Sequence, residues 1–246
     1  MELVAFILII DTHTYLKIKQ HSFNTAVAGF VNSKLGYVNY QLNLSKENKD
    51  LSNQNANLLN EITNKSTKNT GTLDGQFSYT PCYVIGNQYI FKNNSIVINI
   101  GSKNGVLPEM GVIGTNGIIG IVQKTSDHFS QIISVLNTQS KISVSLKGTN
   151  HYGFLAWNAQ DPNVFDVLDI PLNAKVAVGD TLVTSGKSSI FPKGIFVGKI
   201  VDFKELSDRK SYKIVLQPFI DMTSLGTAYV IQNKYKKEFD SISKTE

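Results

Sequence analysis

Cysteine is almost absent from this 246-residue chain: Cys82 stands alone, which excludes a disulfide framework and any cysteine-based structural zinc site. Arginine is equally scarce. Arg209 is the only one among 24 basic residues, the rest being lysine. Specific nucleic-acid sites lean on arginine for bidentate contacts to guanine and phosphate, so the net charge of +5 does not by itself point to a nucleic-acid partner, and none is expected. Proline is missing from the first 80 residues; all six (Pro81, Pro108, Pro162, Pro171, Pro192, Pro218) come later, together with fourteen of the eighteen glycines. The apolar run Leu3–Ile10 has eight residues, too few to cross a bilayer as a helix, which takes about 20. Only 17% of residues are charged and 41% are hydrophobic, which excludes a disordered chain and suffices for one large or two small domains.

The uneven placement of proline and glycine divides what is present into an apolar start, a proline-free helical stretch and a turn-rich β region. Leu3–Ile10 lies between Glu2 and Asp11. It reads either as a buried element of a soluble domain or as part of a longer membrane anchor. The polar stretch that follows, Asp11–Asn24, offers nothing for it to pack on. There is no basic leader region and no small-residue cleavage site, so a cleaved signal peptide is not supported.

Residues 25–63 carry apolar side chains at helical spacing. Val31, Leu35, Val38 and Leu42 form one run, and Leu44, Asn48, Leu51, Asn55, Leu58 and Ile62 a second, offset by one residue, so a local break is expected between them. In the second run the d positions are leucine and two a positions are asparagine, which costs stability but fixes register in a two-stranded parallel pairing. The apolar stripe is narrow, as in a coiled-coil seam. A self-associating coiled coil is the favoured reading, and a single surface helix packed on its own domain the alternative. Residues 64–78 read as a linker.

Beyond Tyr79 the pattern has period two. Ile96, Ile98 and Ile100 share one strand face; Ile142, Val144 and Leu146 share another, with Ser143 and Ser145 opposite. Further strands are expected over residues 80–86, 111–113, 118–124, 131–136, 152–157, 164–169, 181–184, 195–201, 212–217 and 227–231. About a dozen short strands suit antiparallel sandwiches or small closed barrels and leave no room for βαβ helices. Two compact β subdomains are expected, over 79–137 and 138–232, with a late strand able to return to the first. Residues 233–246 read as a basic disordered tail.

The chemistry-bearing residues form no convincing site. Gly111, Gly114, Gly117 and Gly120 recur every three residues, but a dinucleotide fingerprint needs a strand before it and a helix opening within it. Thr115-Asn116-Gly117 lies between apolar pairs and reads as a hairpin turn supplying positive φ. The order His151, then Asp166, Asp169 or Asp180, then Ser185 imitates a serine-protease triad, yet only 34 residues separate His151 from Ser185, too few for facing barrels. Ser185-Gly186 also lacks a glycine-rich loop for an oxyanion hole. The four histidines have no metal-ligand spacing, and Asp161, Asp166 and Asp169 read as a solvated face. Neither catalysis nor a cofactor nor a metal is expected, which favours a structural or binding role.

One set of motifs is specific. Gly179-Asp180-Thr181-Leu182-Val183-Thr184-Ser185-Gly186 is followed by Phe191-Pro192-Lys193-Gly194-Ile195-Phe196-Val197-Gly198. Upstream lie Gly101-Ser102, Met110-Gly111-Val112-Ile113 and Gly117-Ile118-Ile119-Gly120. In this order, over residues 79–203, they resemble the rod shape-determining MreC family. Gly179-Asp180 suits a tight turn, Phe191-Pro192-Lys193-Gly194 a type I turn, and Gly198 a bulge. Gly101, Gly117, Gly120, Thr184, Ser185 and Gly186 also belong to the motif set as shaping residues. The resemblance implies a mainly β protein of two small antiparallel barrels, preceded by an α-helical coiled coil and a membrane anchor, with the bulk of the chain periplasmic on a single-pass inner-membrane protein. It further implies a homodimer and a scaffold for lateral cell-wall elongation, with MreD, MreB across the membrane and a class B penicillin-binding transpeptidase as partners. The chain departs from the family at its start, where residues 1–10 look like the outer half of a truncated anchor, so the natural product is expected to begin upstream. A double-barrel hydrolase and a periplasmic adaptor of a secretion or efflux system are the competing readings.

Overall fold

The computed structural model describes residues 44–63, 73, 75–206 and 210–243. The expected anchor remnant over residues 1–10, the first heptad run and most of the linker lie outside the described residues. Among the described residues no helix is long and apolar enough to cross a membrane.

Twelve strands form two closed antiparallel barrels of six strands each. The first takes β1 (Phe77–Asn87), β2 (Asn93–Ile98), β3 (Gly111–Ile113), β4 (Ile118–Thr125) and β5 (Ser130–Asn137). The chain then passes through the whole second barrel: β6 (Ile142–Leu146), β7 (Tyr152–Ala156), β8 (Phe165–Pro171), β9 (Thr181–Thr184), β10 (Phe196–Leu206) and β11 (Ser211–Pro218). It returns with β12 (Thr227–Asn233), which inserts between β1 and β3. The ring orders are β1-β12-β3-β4-β5-β2 and β10-β11-β8-β7-β6-β9. Closure removes every free sheet edge, and the register shifts at Val84/Gly86 and Ile200/Asp202 supply the bends that closing so few strands demands.

Period-two alternation fills both interiors. Ile96 and Ile98 of β2, Val144 of β6, Val167 of β8 and Leu182 of β9 are completely enclosed. Buried side chains of the two barrels form one contiguous apolar cluster. Three features differ from, or add to, what the sequence predicts. Strand β2 ends at Ile98, so Ile100 is buried beyond it rather than on its face. The face opposite Ile142, Val144 and Leu146 is covered: Ser145 is enclosed and Ser143 half-buried, because the β9–β10 connection lies over them. Residues 236–243, expected as a disordered tail, form a helix anchored by side-chain bonds described below.

The 111–120 glycine series is a hairpin, with β3 and β4 paired and the Gly114 N–H donating to the Gly117 carbonyl at 2.8 Å. It uses no positive φ at Thr115, Asn116 or Gly117, contrary to the expectation. Glycine serves proximity instead. A Cβ on Gly117 would sit 3.3 Å from the Phe196 carbonyl of the second barrel, and one on Gly114 would sit 2.5 Å from the Ile220 side chain.

Residues 44–63 are helical (α1). Ser52 and Ala56 are buried and Leu59 packs against the core. Tyr79 ties the helix to β1: its N–H donates to Asn60 Oδ1 at 3.0 Å, and its hydroxyl lies 3.0 Å from that of Thr63. Burial raises the Tyr79 pKa, offset in part by the Thr63 hydrogen bond.

Candidate functional site

The residues singled out in the sequence fall into three groups: one on α1, one around the β9–β10 connection, and a set of glycines with Asp180 elsewhere in the barrels. Along α1, Leu44 is half-buried and Asn48, Leu51, Asn55, Leu58 and Ile62 are exposed. Leu51, Leu58 and Ile62 leave 50%, 54% and 64% of their surface in solvent, so this stripe does not serve the helix's own domain. The packed stripe of Ser52, Ala56, Leu59 and Thr63 lies one residue step, about 100°, around the helix. Sequence reasoning missed that face because it is built from small and polar side chains; its signal is the spacing of Ser52, Ala56, Leu59 and Thr63.

The β9–β10 connection brings together Thr184, Ser185, Gly186, Phe191, Pro192 and Gly194. Thr184 is fully enclosed. Its hydroxyl donates to the Pro192 carbonyl at 2.6 Å and accepts the Ile195 N–H at 2.9 Å, while its backbone carbonyl accepts the Gly194 N–H at 3.0 Å. One side chain thus clips the Phe191–Gly194 turn shut, with Gly194 at φ 99° where a side chain is strained. The Ser185 hydroxyl donates to Ser143 Oγ at 2.7 Å and accepts the Lys187 N–H at 3.1 Å. No hydrogen bond links Ser185 to His151 among the described residues, so the triad order in the sequence corresponds to no triad in space.

Phe191 couples the barrels. Its ring occupies the place of a side chain on Gly111 of β3, where an added Cβ would lie 2.6 Å from a ring carbon. Helix α2 (Lys236–Ser243) secures the same junction: Ser189 Oγ donates to Asp240 at 2.9 Å, and Asn233 Nδ2 donates to the Ser189 carbonyl at 2.9 Å. Lys236 reaches Glu109 at 2.8 Å and pairs with Asp240. Burial alone would lower its pKa, but the hydrogen bonds to Asp240 and Glu109 and the two negative charges raise it on balance.

The remaining motif residues lie apart from this connection and shape the strands. Asp180 accepts the Ala177 N–H at 2.9 Å beside the turn at Gly179. A Cβ would fall 2.1 Å from the Ser126 carbonyl at Gly101, 2.1 Å from the Ile133 carbonyl at Gly120 and 2.3 Å from the Gln217 carbonyl at Gly198, where β10 shifts register against β9. Cys82 is buried, and burial pushes its thiol up to about 12.

The Pro192–Lys193 turn separates two depressions. A polar cleft of about 400 Å³ lies against β6, the Gly186–Ser189 loop and Phe239 of α2. A larger, mostly apolar groove of about 980 Å³ runs between α1, the β3–β4 hairpin tip and the start of β10, walled by Leu58, Ile62, Phe196 and Phe219. Phe196 and Phe219 meet edge to face at 6.0 Å, and both are more than 40% exposed. Contiguous apolar surface of this kind marks an interaction face or a ligand-binding groove. Among the described residues no group of histidine, cysteine or carboxylate side chains could hold a metal ion.

A family model described as rod shape-determining protein MreC, barrel core, matches residues 84–232. Over 143 residues the chain is 27% identical to the cell shape-determining protein MreC of Listeria monocytogenes, which is 57% of this chain and 48% of that protein. It is 26% identical over 123 residues to the Escherichia coli protein of the same name, 50% of this chain and 33% of that one. The chain thus spans half or less of the length of these curated relatives. Among solved structures it resembles Listeria monocytogenes MreC with a TM-score of 0.62 at 24% identity, over 76% of this chain and 91% of that one. It resembles Pseudomonas aeruginosa MreC at 0.57 and 19%, over 62% and 98%. A complex between a penicillin-binding protein and MreC from Helicobacter pylori matches at 0.50 and 20%, over 64% and 99%. At these identities the structural matches show a common fold.

Proposed function

The chain belongs to the MreC family of rod shape-determining proteins, and from that premise we propose that it is a non-catalytic periplasmic scaffold that maintains cell shape by binding and activating a class B penicillin-binding transpeptidase. The observation that carries this reading is the apolar groove beside the junction, since the signature residues around it are committed to holding the barrels together. The Thr184 and Ser185 hydroxyls are both engaged within the fold and available to no substrate. The Helicobacter complex of a penicillin-binding protein with an MreC supports the choice of partner.

In this proposal the seam residues Leu44, Asn48, Leu51, Asn55, Leu58 and Ile62 pair with the same residues of a second copy, forming a parallel two-stranded coiled coil. Phe196 and Phe219, on the barrel side of the groove, face the transpeptidase. Activation requires tighter binding to the active conformation of the enzyme than to the inactive one. A single inner-membrane span precedes the helix, and links to MreD and, through the membrane, to MreB complete the assembly.

A pull-down from membranes with the described β region as bait tests the reading. Recovery of the transpeptidase, and its loss with Phe196→Asp and Phe219→Asp, is the expected result. Recovery of outer-membrane channel components instead would favour an adaptor, and recovery unaffected by the two substitutions would remove the groove from the argument.

A further inference from the structure

The polar cleft is built differently from the apolar groove. Lys187 and Lys193 stand on its rim, and among the described residues no aspartate or glutamate lines it. Asp240, which reaches the loop through Ser189, is paired with Lys236. The wall formed by β6 presents Ser145, only 2% exposed, whose hydroxyl has no hydrogen-bond partner among the described residues. Buried hydroxyls are nearly always paired, so an unpaired one in a cleft wall is available to a water molecule or to a ligand group. Asn150 adds an amide whose carbonyl oxygen already receives the Lys193 ammonium at 3.3 Å, holding that charge over the opening.

The apolar members narrow the choice of ligand. Leu73 and Phe239 are 58% and 44% exposed at the cleft mouth, beside the cationic rim. The Tyr152 ring, which would be the natural platform for a sugar, has Lys187 over one face at 5.6 Å and Phe154 against its edge. A cationic rim, an unpaired hydroxyl and an apolar mouth fit a carboxylate with an apolar side chain beside it. Capture of a chain-terminal carboxylate is a recurring peptide-recognition mode, and about 400 Å³ is enough for the last two or three residues of a peptide.

We propose that the cleft between β6, the Gly186–Ser189 loop and α2 binds the C-terminal carboxylate of a peptide whose last side chain is apolar, with Lys187 and Lys193 neutralising the charge and Ser145 donating to it. This site is separate from the groove assigned to the transpeptidase and stands or falls independently of that assignment.

The test is an amide NMR titration of the full chain with acetyl-Ala-Ala-Leu carrying a free carboxylate, with the same peptide amidated, and with inorganic phosphate. The acid should shift the Lys187, Ser188 and Ser145 resonances. Amidation, or the pair Lys187→Ala and Lys193→Ala, should weaken binding about tenfold or more. Ser145→Ala, nearly isosteric and therefore safe for the fold, should weaken it several-fold while leaving the remaining spectrum unchanged. Equal binding of acid and amide, equal binding of phosphate, or full affinity in Ser145→Ala would each overturn the proposal.

Discussion

Thr184→Val tests whether the signature motif works as a clip. Valine keeps the shape and volume of threonine, and the site is completely enclosed, so packing changes little. The substitution removes both side-chain hydrogen bonds, leaving the buried Pro192 carbonyl and the partly buried Ile195 N–H without partners. Each stranded buried group costs roughly 1–3 kcal/mol. Discounting Ile195 for its partial access to water gives about 2–4 kcal/mol, against a total stability of about 5–15 kcal/mol for an ordinary domain. Thr184→Ser keeps both bonds and loses one methyl, about 1 kcal/mol. Urea unfolding of the three proteins measures the difference, with the midpoint falling and the slope unchanged if only the clip is affected. A serine variant as damaged as the valine variant would show that the methyl and not the hydroxyl matters, and the hydrogen-bond account of the motif would fail.

Four further outcomes are expected. Gly111→Val forces the Phe191 ring out of its place, an overpacking cost of about 1–3 kcal/mol read as a lowered melting temperature; an unchanged melt would mean the ring relocates freely. Cys82 should resist iodoacetamide at pH 8 in the native protein and react quickly in urea, since reaction needs the thiolate and burial holds the thiol up to about 12; equal rates would show that the barrel opens there. Lys236→Met should speed amide exchange in α2. Because the lysine pKa is raised on folding, the ion-pair contribution is present below the ordinary value of about 10.4 and is lost as pH rises through the folded value; unchanged exchange at pH 7 would refute the anchoring role. The pair Leu51→Asp and Leu58→Asp should convert a dimer to a monomer in sedimentation, and an unchanged monomer in both proteins would refute the pairing.

How much of this was legible in the sequence depended on the range of the interaction. Runs such as Ile142–Leu146 and Thr181–Thr184 announce strands because their apolar and β-branched residues recur along the chain itself, and their bounds agree with the structure. The glycines of the 111–120 series announced a hairpin for the wrong reason. Their purpose is to let Phe196, Ile220 and Phe191 approach, and those partners lie roughly 80 to 100 residues away, where no local pattern records them. The strand pattern puts Ser145 opposite the apolar face but does not show that it is buried, because the loop that covers it comes about 40 residues later. The α2 helix was missed for the same cause. Its lysines look like a solvated tail until Glu109 and Ser189 are brought beside them.

The return of β12 explains why the junction carries so much of the signature. The first barrel closes only when β12 inserts between β1 and β3, and β12 arrives only after the chain has completed the second barrel. The first barrel is therefore not an independent module, and any play at the β9–β10 connection would reach it through Phe191 against Gly111 and through Ser189 against Asn233 and Asp240. The groove is walled by α1 and both barrels, so its shape depends on those parts being held in fixed register. Catalytic residues need a cleft with free functional groups; here the same motif positions hold hydroxyls tied to carbonyls and glycines pressed against backbone. These positions serve rigidity, which the proposed scaffold role would require of a surface that biases the conformation of a bound enzyme.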